Sequence, residues 1–239
     1  MRKRALITGA SRGIGAAAAR ALARAGYDLF LVCKSSGKVM EGLGRELAEQ
    51  YGIFCETALC DVSDAGQVET MMKQAGEIHV LVNNAGISHT GLLTDMSPAQ
   101  WHQVLDTNLS SLFYTCRLAV PRMVRRKEGR IINVSSIWGN VGASMEVAYS
   151  ASKGGVNSFT RALARELAPS GISVNGIAFG VIDTDMNACF SQEELAALME
   201  EIPAGRMGSV QEAGELIRML AQAPAYLTGQ IITMDGGWT

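Results

Sequence analysis

Aromatic residues are scarce in this chain of 239 residues, at 6%, and proline and histidine are scarcer still, at 5 and 3 residues. A low aromatic content beside a hydrophobic fraction of 48% suits a well-buried globule rich in alanine and glycine. Excess charge is missing too. The formal net charge is −2, which implies no broad electrostatic field for a nucleic-acid partner. The five cysteines (Cys33, Cys55, Cys60, Cys116 and Cys189) form no C-x-x-C pair, and His79, His89 and His102 have no partner at metal-ligand spacing. The expectation is reduced thiols in a cytoplasmic protein with no metal. Long apolar runs are also lacking. The run after Met1-Arg2-Lys3-Arg4 breaks at Thr8-Gly9 and again at Ser11-Arg12, too early for the core of a secretory signal. No other run is long enough to span a bilayer, so no membrane partner is expected.

What is present is an alternation. Apolar runs at residues 5–8, 27–33, 54–60, 78–82, 130–134, 172–178 and 230–234 read as strands. Helical patterns lie between them: up to Ala25, then 38–51, 63–75 with Ser63 or Asp64 as N-cap, 97 to about 127, 149–168, Gln192–Glu201 and 210–221. The long pattern from Ser97-Pro98 is expected to break near Asn108 or to kink at Pro121. Strands alternating with helices predict a doubly wound α/β fold, a parallel sheet covered on both faces in three layers. No repeat and no linker interrupts residues 1–239, so one domain is expected. Ligands on such sheets sit at the carboxyl ends of the strands. The polar signatures fall there: residues 8–15, Asp61, residues 83–86, Ser136 and residues 180–184.

Gly9, Gly13 and Gly15 follow the first strand and open a helix. That context suits a tight turn, close backbone approach to a pyrophosphate, and free N–H groups at a helix N-terminus. Ser11, Arg12 and Ile14 fill the turn. An acidic residue at the end of the second strand would bind a ribose 2′-hydroxyl and repel a 2′-phosphate. The chain has Cys33-Lys34-Ser35-Ser36 there instead. With Arg12, Lys34 supplies positive charge and Ser35 or Ser36 a hydroxyl, which favours NADP(H) over NAD(H). Asp61 is read either as a contact to the adenine amino group or as a helix cap.

Tyr149 and Lys153 are four apart on a helical pattern and so share a face. A phenol is a weak acid with a reference pKa near 10, and bringing it to about 7 takes roughly 4 kcal/mol of differential interaction. A neighbouring ammonium is expected to supply part of that and lower the value. The pair therefore reads as a general acid tuned by Lys153.

Taken together, Thr8-Gly-x-x-x-Gly-Ile-Gly15, Asn83-Asn-Ala-Gly86, Asn108, Ser136, Tyr149-x-x-x-Lys153 and the Asp235-Gly-Gly-Trp238 ending resemble the short-chain dehydrogenase/reductases over nearly the whole chain. The resemblance implies a Rossmann-like seven-stranded sheet, a homotetramer and an NADPH-dependent carbonyl reductase. By it, Tyr149 donates the proton, Lys153 binds the nicotinamide ribose, Ser136 bonds the carbonyl and Asn108 holds a water relay. Val62, Asn83, Ala85, Gly86, Gly180, Ile182 and Thr184 join the cofactor contacts. Phe179 stands where the family commonly has proline, which frees an N–H and a φ angle before the lid.

Residues 202–206 are similar to those of bacterial 3-oxoacyl-(acyl-carrier-protein) reductases. Arg122, Arg125, Arg126 and Lys127 are candidates to receive an acidic carrier protein, or else form a wet helix face. Residues 88–95 and 135–147 look more like a sister group that reduces a 5-aminopentanone modification on elongation factor P. By that reading Glu146, with Asp95, meets a substrate amine, and Trp138 lies at the substrate. A non-catalytic NADPH-binding sensor on the same fold is the reading from another class.

Overall fold

Unbroken aliphatic runs, rather than alternating ones, mark the strands of this chain, because each strand is buried on both faces. In the computed structural model, which describes residues 2–187 and 191–239, they form β1 (Arg4–Thr8), β2 (Asp28–Cys33), β3 (Cys55–Leu59), β4 (Val80–Asn83), β5 (Gly129–Ser136), β6 (Ile172–Phe179) and β7 (Ile231–Met234). All pair in parallel in one sheet, in the order β3-β2-β1-β4-β5-β6-β7. The helices are α1 (Gly13–Arg24), α2 (Gly37–Tyr51), α3 (Ala65–Ala75), α4 (Pro98–Leu105), α5 (Ser111–Arg126), α6 (Trp138–Val141), α7 (Val147–Leu167), α8 (Gln192–Glu201) and α9 (Val210–Gln222). This is the Rossmann-like α/β arrangement. Cys189 lies outside the described residues. Among those residues no helix is long and apolar enough to cross a membrane.

Alternation along each strand divides the core in two. Ile7, Leu29 and Leu31 point to one face, where they meet Leu22 of α1, Leu47 of α2 and Ile217 of α9. Leu6, Phe30 and Val32 point to the other, against Met71 of α3, Met123 of α5 and Leu167 of α7. Burying an aliphatic side chain of this size is worth about 1.5–3 kcal/mol, so both faces contribute heavily to the fold. The strand order reverses between β1 and β4, which opens a crevice at their carboxyl ends.

Local chemistry sets the helix ends. Asp64, not Ser63, caps α3, accepting from Gly66 N at 2.8 Å and Gln67 N at 3.0 Å. Ser97 caps α4 with Gln100 returning the bond, and Pro98 opens the helix. Of the two expected interruptions, the chain uses the one at Asn108: residues Asp106–Ser110 form a single π turn between α4 and α5. Pro121 stays inside α5. The short helix α6 stands in a stretch from which periodicity predicted nothing, and β6 runs one residue past expectation to bury Phe179 at 3% exposure.

Arg122 and Arg126 lie at the amino ends of the strands, the far side of the sheet from the crevice. Arg122 bonds Gly76 O; Arg126 pairs with Glu77 and donates to Ile78 O at 2.7 Å. They tie α5 to the entry of β4, which removes them as a carrier-protein dock beside the site.

His79 stitches the same edge. Its Nδ1 accepts from Arg4 N at 3.1 Å, its N–H donates to Arg4 O at 2.8 Å, and its carbonyl accepts from Arg130 N at 2.9 Å. Burial lowers its pKa, and Arg126 and Lys3 add to the effect against Glu128 and Glu77. The native state thus disfavours the proton, while the unfolded chain takes it near pH 6.5. The stabilisation is full above that pH and is lost as pH falls through it toward the native value. Thermal midpoints should therefore fall more steeply between about pH 7.5 and 5.5 in the wild type than in His79→Asn, whose oxygen can take the Arg4 N–H without titrating. Parallel slopes in the two proteins would show that His79 does not govern this edge.

Candidate active site

The glycine turn is built by contact, not by flexibility alone. A Cβ at Gly15 would lie 2.2 Å from Gly9 O and 2.7 Å from Asn84 Nδ2, and one at Gly9 would lie 2.9 Å from Ala85 Cα. Gly9 and Gly13 also have positive φ, at 66° and 54°. Asn84, absent from the expected contacts, binds the turn: its Nδ2 donates to Thr8 O at 3.0 Å and Gly9 O at 3.1 Å. Thr8 Oγ1 in turn accepts from Asn84 N and Ala85 N, locking the end of β1 to the end of β4. Arg12 occupies the N-cap of α1 without a side-chain cap bond, so the helix presents its first N–H groups beside this turn. The cradle fits a pyrophosphate.

Other expected cofactor residues converge on it unevenly. Thr184 lies against Gly13, at 3.3 Å from a Cβ built there. Ser11 is half-buried in the turn, and Gly180 packs against Asp235. Ile14, Val62 and Ile182 send their side chains into the core, so their part falls to the backbone. Asn83 does likewise: its Nδ2 donates to Asn133 Oδ1 at 2.9 Å and its Oδ1 accepts from Thr115 at 2.8 Å.

Lys34 and Ser35 are exposed at the end of β2. Lys34 pairs with Asp61 at 2.6 Å, and Arg12 with Asp185 at 3.5 Å. Burial works to raise the Asp61 carboxyl, but bonds from Lys34 and Ser63 outweigh it and hold it below the usual range. Asp61 is neither the cap of α3 nor unengaged.

The second cluster lies on α7. Lys153 is 4% exposed; its Nζ donates to Val134 O at 2.9 Å and sits 5.5 Å from the centre of the Tyr149 ring. The expected lowering of the phenol is reversed. Burial pushes Tyr149 up to about 12, opposed by its hydrogen bond with Ser136 and aided by the Glu146 charge. Burial also pulls Lys153 down to about 8. Desolvation is the first cause for both groups.

Asn108 reaches this cluster through its π turn. Its Oδ1 accepts from Ile87 N at 2.8 Å and its Nδ2 donates to Ile87 O and Ser152 Oγ. The amide side chain is thus committed to holding the loop after β4, and a water relay there would fall to the backbone of the turn. A Cβ at Gly86 would meet both Asn108 Oδ1 and Lys153 Nζ, at 3.3 and 3.5 Å.

The mouth has two sides. Ser88 donates to Glu146, and Gly91 N to Met145 O at 2.8 Å, closing the loop after β4 onto the start of α7. Met145 adopts φ 62° to do so. Asp95 is exposed, with Thr94 as its partner. The Trp138 backbone N–H donates to Ser136 Oγ at 3.2 Å, and its ring meets that of Trp238 edge-on at 5.2 Å.

Comparison with known proteins agrees with this geometry. The short chain dehydrogenase family matches residues 3–195. An uncharacterized oxidoreductase, YmfI, of Bacillus subtilis (strain 168) is 39% identical over 240 residues, covering 100% of this chain and 99% of its own. The 3-oxoacyl-(acyl-carrier-protein) reductase FabG of Staphylococcus aureus (strain Mu50) is 40% identical, covering 99% and 98%; its counterpart in Escherichia coli (strain K12) is 36% identical, covering 98% and 96%. A crystal structure from Agrobacterium tumefaciens, of a protein provisionally called a gluconate dehydrogenase, superposes with a TM-score of 0.93 at 34% identity, covering 99% and 95%.

Gly139 decides how closely α6 approaches α7. A Cβ there would fall 2.7 Å from Lys153 C and 2.8 Å from its O. Gly139→Ala should destabilise by about 1–3 kcal/mol through overpacking, read as a lower thermal midpoint. Gly42→Ala, in α2 where a Cβ meets nothing within 4 Å, should be neutral or stabilising by up to about 1 kcal/mol. Equal midpoints would mean that α6 does not rest on the Lys153 backbone.

Proposed function

Since the chain belongs to the short-chain dehydrogenase family and is an oxidoreductase acting on CH–OH/C=O groups, we propose that it is an NADPH-dependent carbonyl reductase of the 3-oxoacyl-(acyl-carrier-protein) reductase type. It would work in the cytoplasm as a homotetramer, whose mass by light scattering is the check. The observation that carries the reading is one constellation: Lys153 buried on α7 beneath the Tyr149 ring, with the Ser136 hydroxyl at the end of β5 acting on the Tyr149 phenol.

The bound nicotinamide supplies hydride to the carbonyl carbon. The chain's own residues answer the charge that grows on the oxygen. Ser136 and Tyr149 would be the donors to it, and a donor already in place costs no reorganisation as charge develops. Tyr149, protonated across the working pH range, is the proton source. Lys153, charged below about pH 8, lies where a phenolate left by that transfer would be stabilised. Residues 9–15, held in place by Asn84, would hold the pyrophosphate, and Lys34, Ser35 and Arg12 the 2′-phosphate. Both cations are balanced by carboxylates, Asp61 and Asp185; a 2′-phosphate competes with these carboxylates for the same N–H donors.

A second reading is favoured by Glu146: reduction of a 5-aminopentanone group on elongation factor P. Glu146 sits three residues before Tyr149, half-buried, with Ser88 on one oxygen. Among the described residues it has no ion-pair partner. A carboxylate so placed suits a substrate cation more than an acyl chain.

Two experiments divide these statements. Purified protein should oxidise NADPH against an acetoacetyl thioester at least tenfold faster than NADH, and Tyr149→Phe should lower kcat/KM by about 10²–10⁴ while still binding NADPH. A Tyr149→Phe enzyme as fast as its parent would remove the mechanism. Glu146→Gln should weaken reduction of 5-amino-2-pentanone by about tenfold and leave 2-pentanone nearly as before; equal effects on both would dismiss the amine-binding reading.

A further inference from the structure

The side of the mouth away from Glu146 is made by the end of the chain. Ser136, Phe179 and Met234 lie in register across β5, β6 and β7. After Met234 the chain turns back over the end of β6. Gly180 makes room for it: a Cβ there would fall 2.8 Å from Asp235 Cα. Gly236 and Gly237, at φ 72° and 86°, make the turn. Asp235 then staples the tail, its Oδ1 accepting from Gly237 N at 3.0 Å and its Oδ2 from Thr239 N at 2.8 Å and Thr239 Oγ1 at 2.9 Å. The result is that Trp238 rests edge-on against Trp138, with an interplanar angle of 67°. The backbone of Trp138 is held beside Ser136, its amide N–H donating to Ser136 Oγ. Both indoles stay partly exposed.

A tail folded over a neighbouring strand and held by three bonds to one carboxylate is a positioned element. What it delivers is a large aromatic surface packed on the residue that follows Ser136 by two positions and bonds Ser136 Oγ through its backbone. Partly exposed indoles beside a polar reacting centre suit an apolar chain, which gains burial against rings that are already ordered. We propose that Trp238 is a specificity-determining residue: with Trp138 it forms an aromatic wall that takes the alkyl segment flanking the carbonyl. The inference rests on the carbonyl-reductase reading above and extends it to the substrate's shape.

The test uses the full-length enzyme with NADPH and two neutral ketones, ethyl acetoacetate and ethyl 3-oxodecanoate, in wild type, Trp238→Ala and Trp238→Phe. The far-ultraviolet circular dichroism of each protein, in the strong indole band, reports the pair, because two coupled indoles give an exciton couplet there that either replacement removes. Trp238→Ala should raise KM for the long ester about tenfold and for the short one no more than about threefold, with kcat for both less affected. Trp238→Phe should restore most of the loss while still lacking the couplet. Equal losses for both esters, or a Trp238→Phe enzyme no better than Trp238→Ala, would make the residue merely structural and overturn the proposal. So would a wild type without the couplet. A wild type that shows the couplet but reduces neither ester would instead overturn the reductase reading, and the specificity role with it.

Discussion

Burying an ammonium is the constraint from which the site is built. Lys153 is nearly sealed from solvent, and a charge there is costly unless hydrogen bonds repay the lost water. The sheet offers one at the end of β5, the Val134 carbonyl. To bring Lys153 within reach, α7 must lie close on β5, and the neighbouring residues meet that demand. Ser135 donates to the Lys153 carbonyl, and Gly139 lets α6 settle on the same peptide. Asn108, through its π turn, reaches Ser152, whose hydroxyl donates to Tyr149 O. The pKa near 8 is the remaining cost of the burial, still high enough that the group is charged at neutral pH.

Beneath that contact runs a polar chain inside the core. Thr115 donates to Asn83, Asn83 to Asn133, and Asn133 to Thr160 on α7. A buried polar network is costly if half-satisfied and rigid if complete. This one links α5, β4, β5 and α7 along the line on which the reactive groups stand. Side chains that the linear pattern makes candidates for ligand contact are here spent on holding strands and helices in one register.

Local chemistry made much of this legible in the sequence. Aliphatic runs fix strands within a residue or two, and Tyr149 and Lys153 share a face because helical geometry requires it. The glycines of the first turn are recognisable because a pyrophosphate cradle needs them after a strand. What was hidden depends on distance in sequence. The pairing of Lys34 with Asp61 joins residues 27 positions apart, and neither flank advertises it. The role of Asn84 was hidden because it acts on residues far upstream of it. The direction of the Tyr149 shift is not legible in the sequence, because adjacency to a cation is visible there and burial is not. The short helix α6 has too few residues to show a period.

The strand order then determines how the mouth is furnished. With β4 on one side of β5 and β6 and β7 on the other, loops from the two sides reach Ser136 and Tyr149 from opposite directions. Ser88 arrives with the β4 loop and Glu146 with the start of α7, giving an acidic side. Trp238 arrives with the tail after β7, giving an aromatic one. Neither side chain adds to the core, so the two can vary without disturbing the contact between α7 and β5. The basic side chains and His79, which join element ends at the opposite edge of the sheet, are correspondingly remote from the reacting groups. The titration of His79 therefore bears on one end of the sheet, and the glycine turn and the Lys153 contact lie at the other.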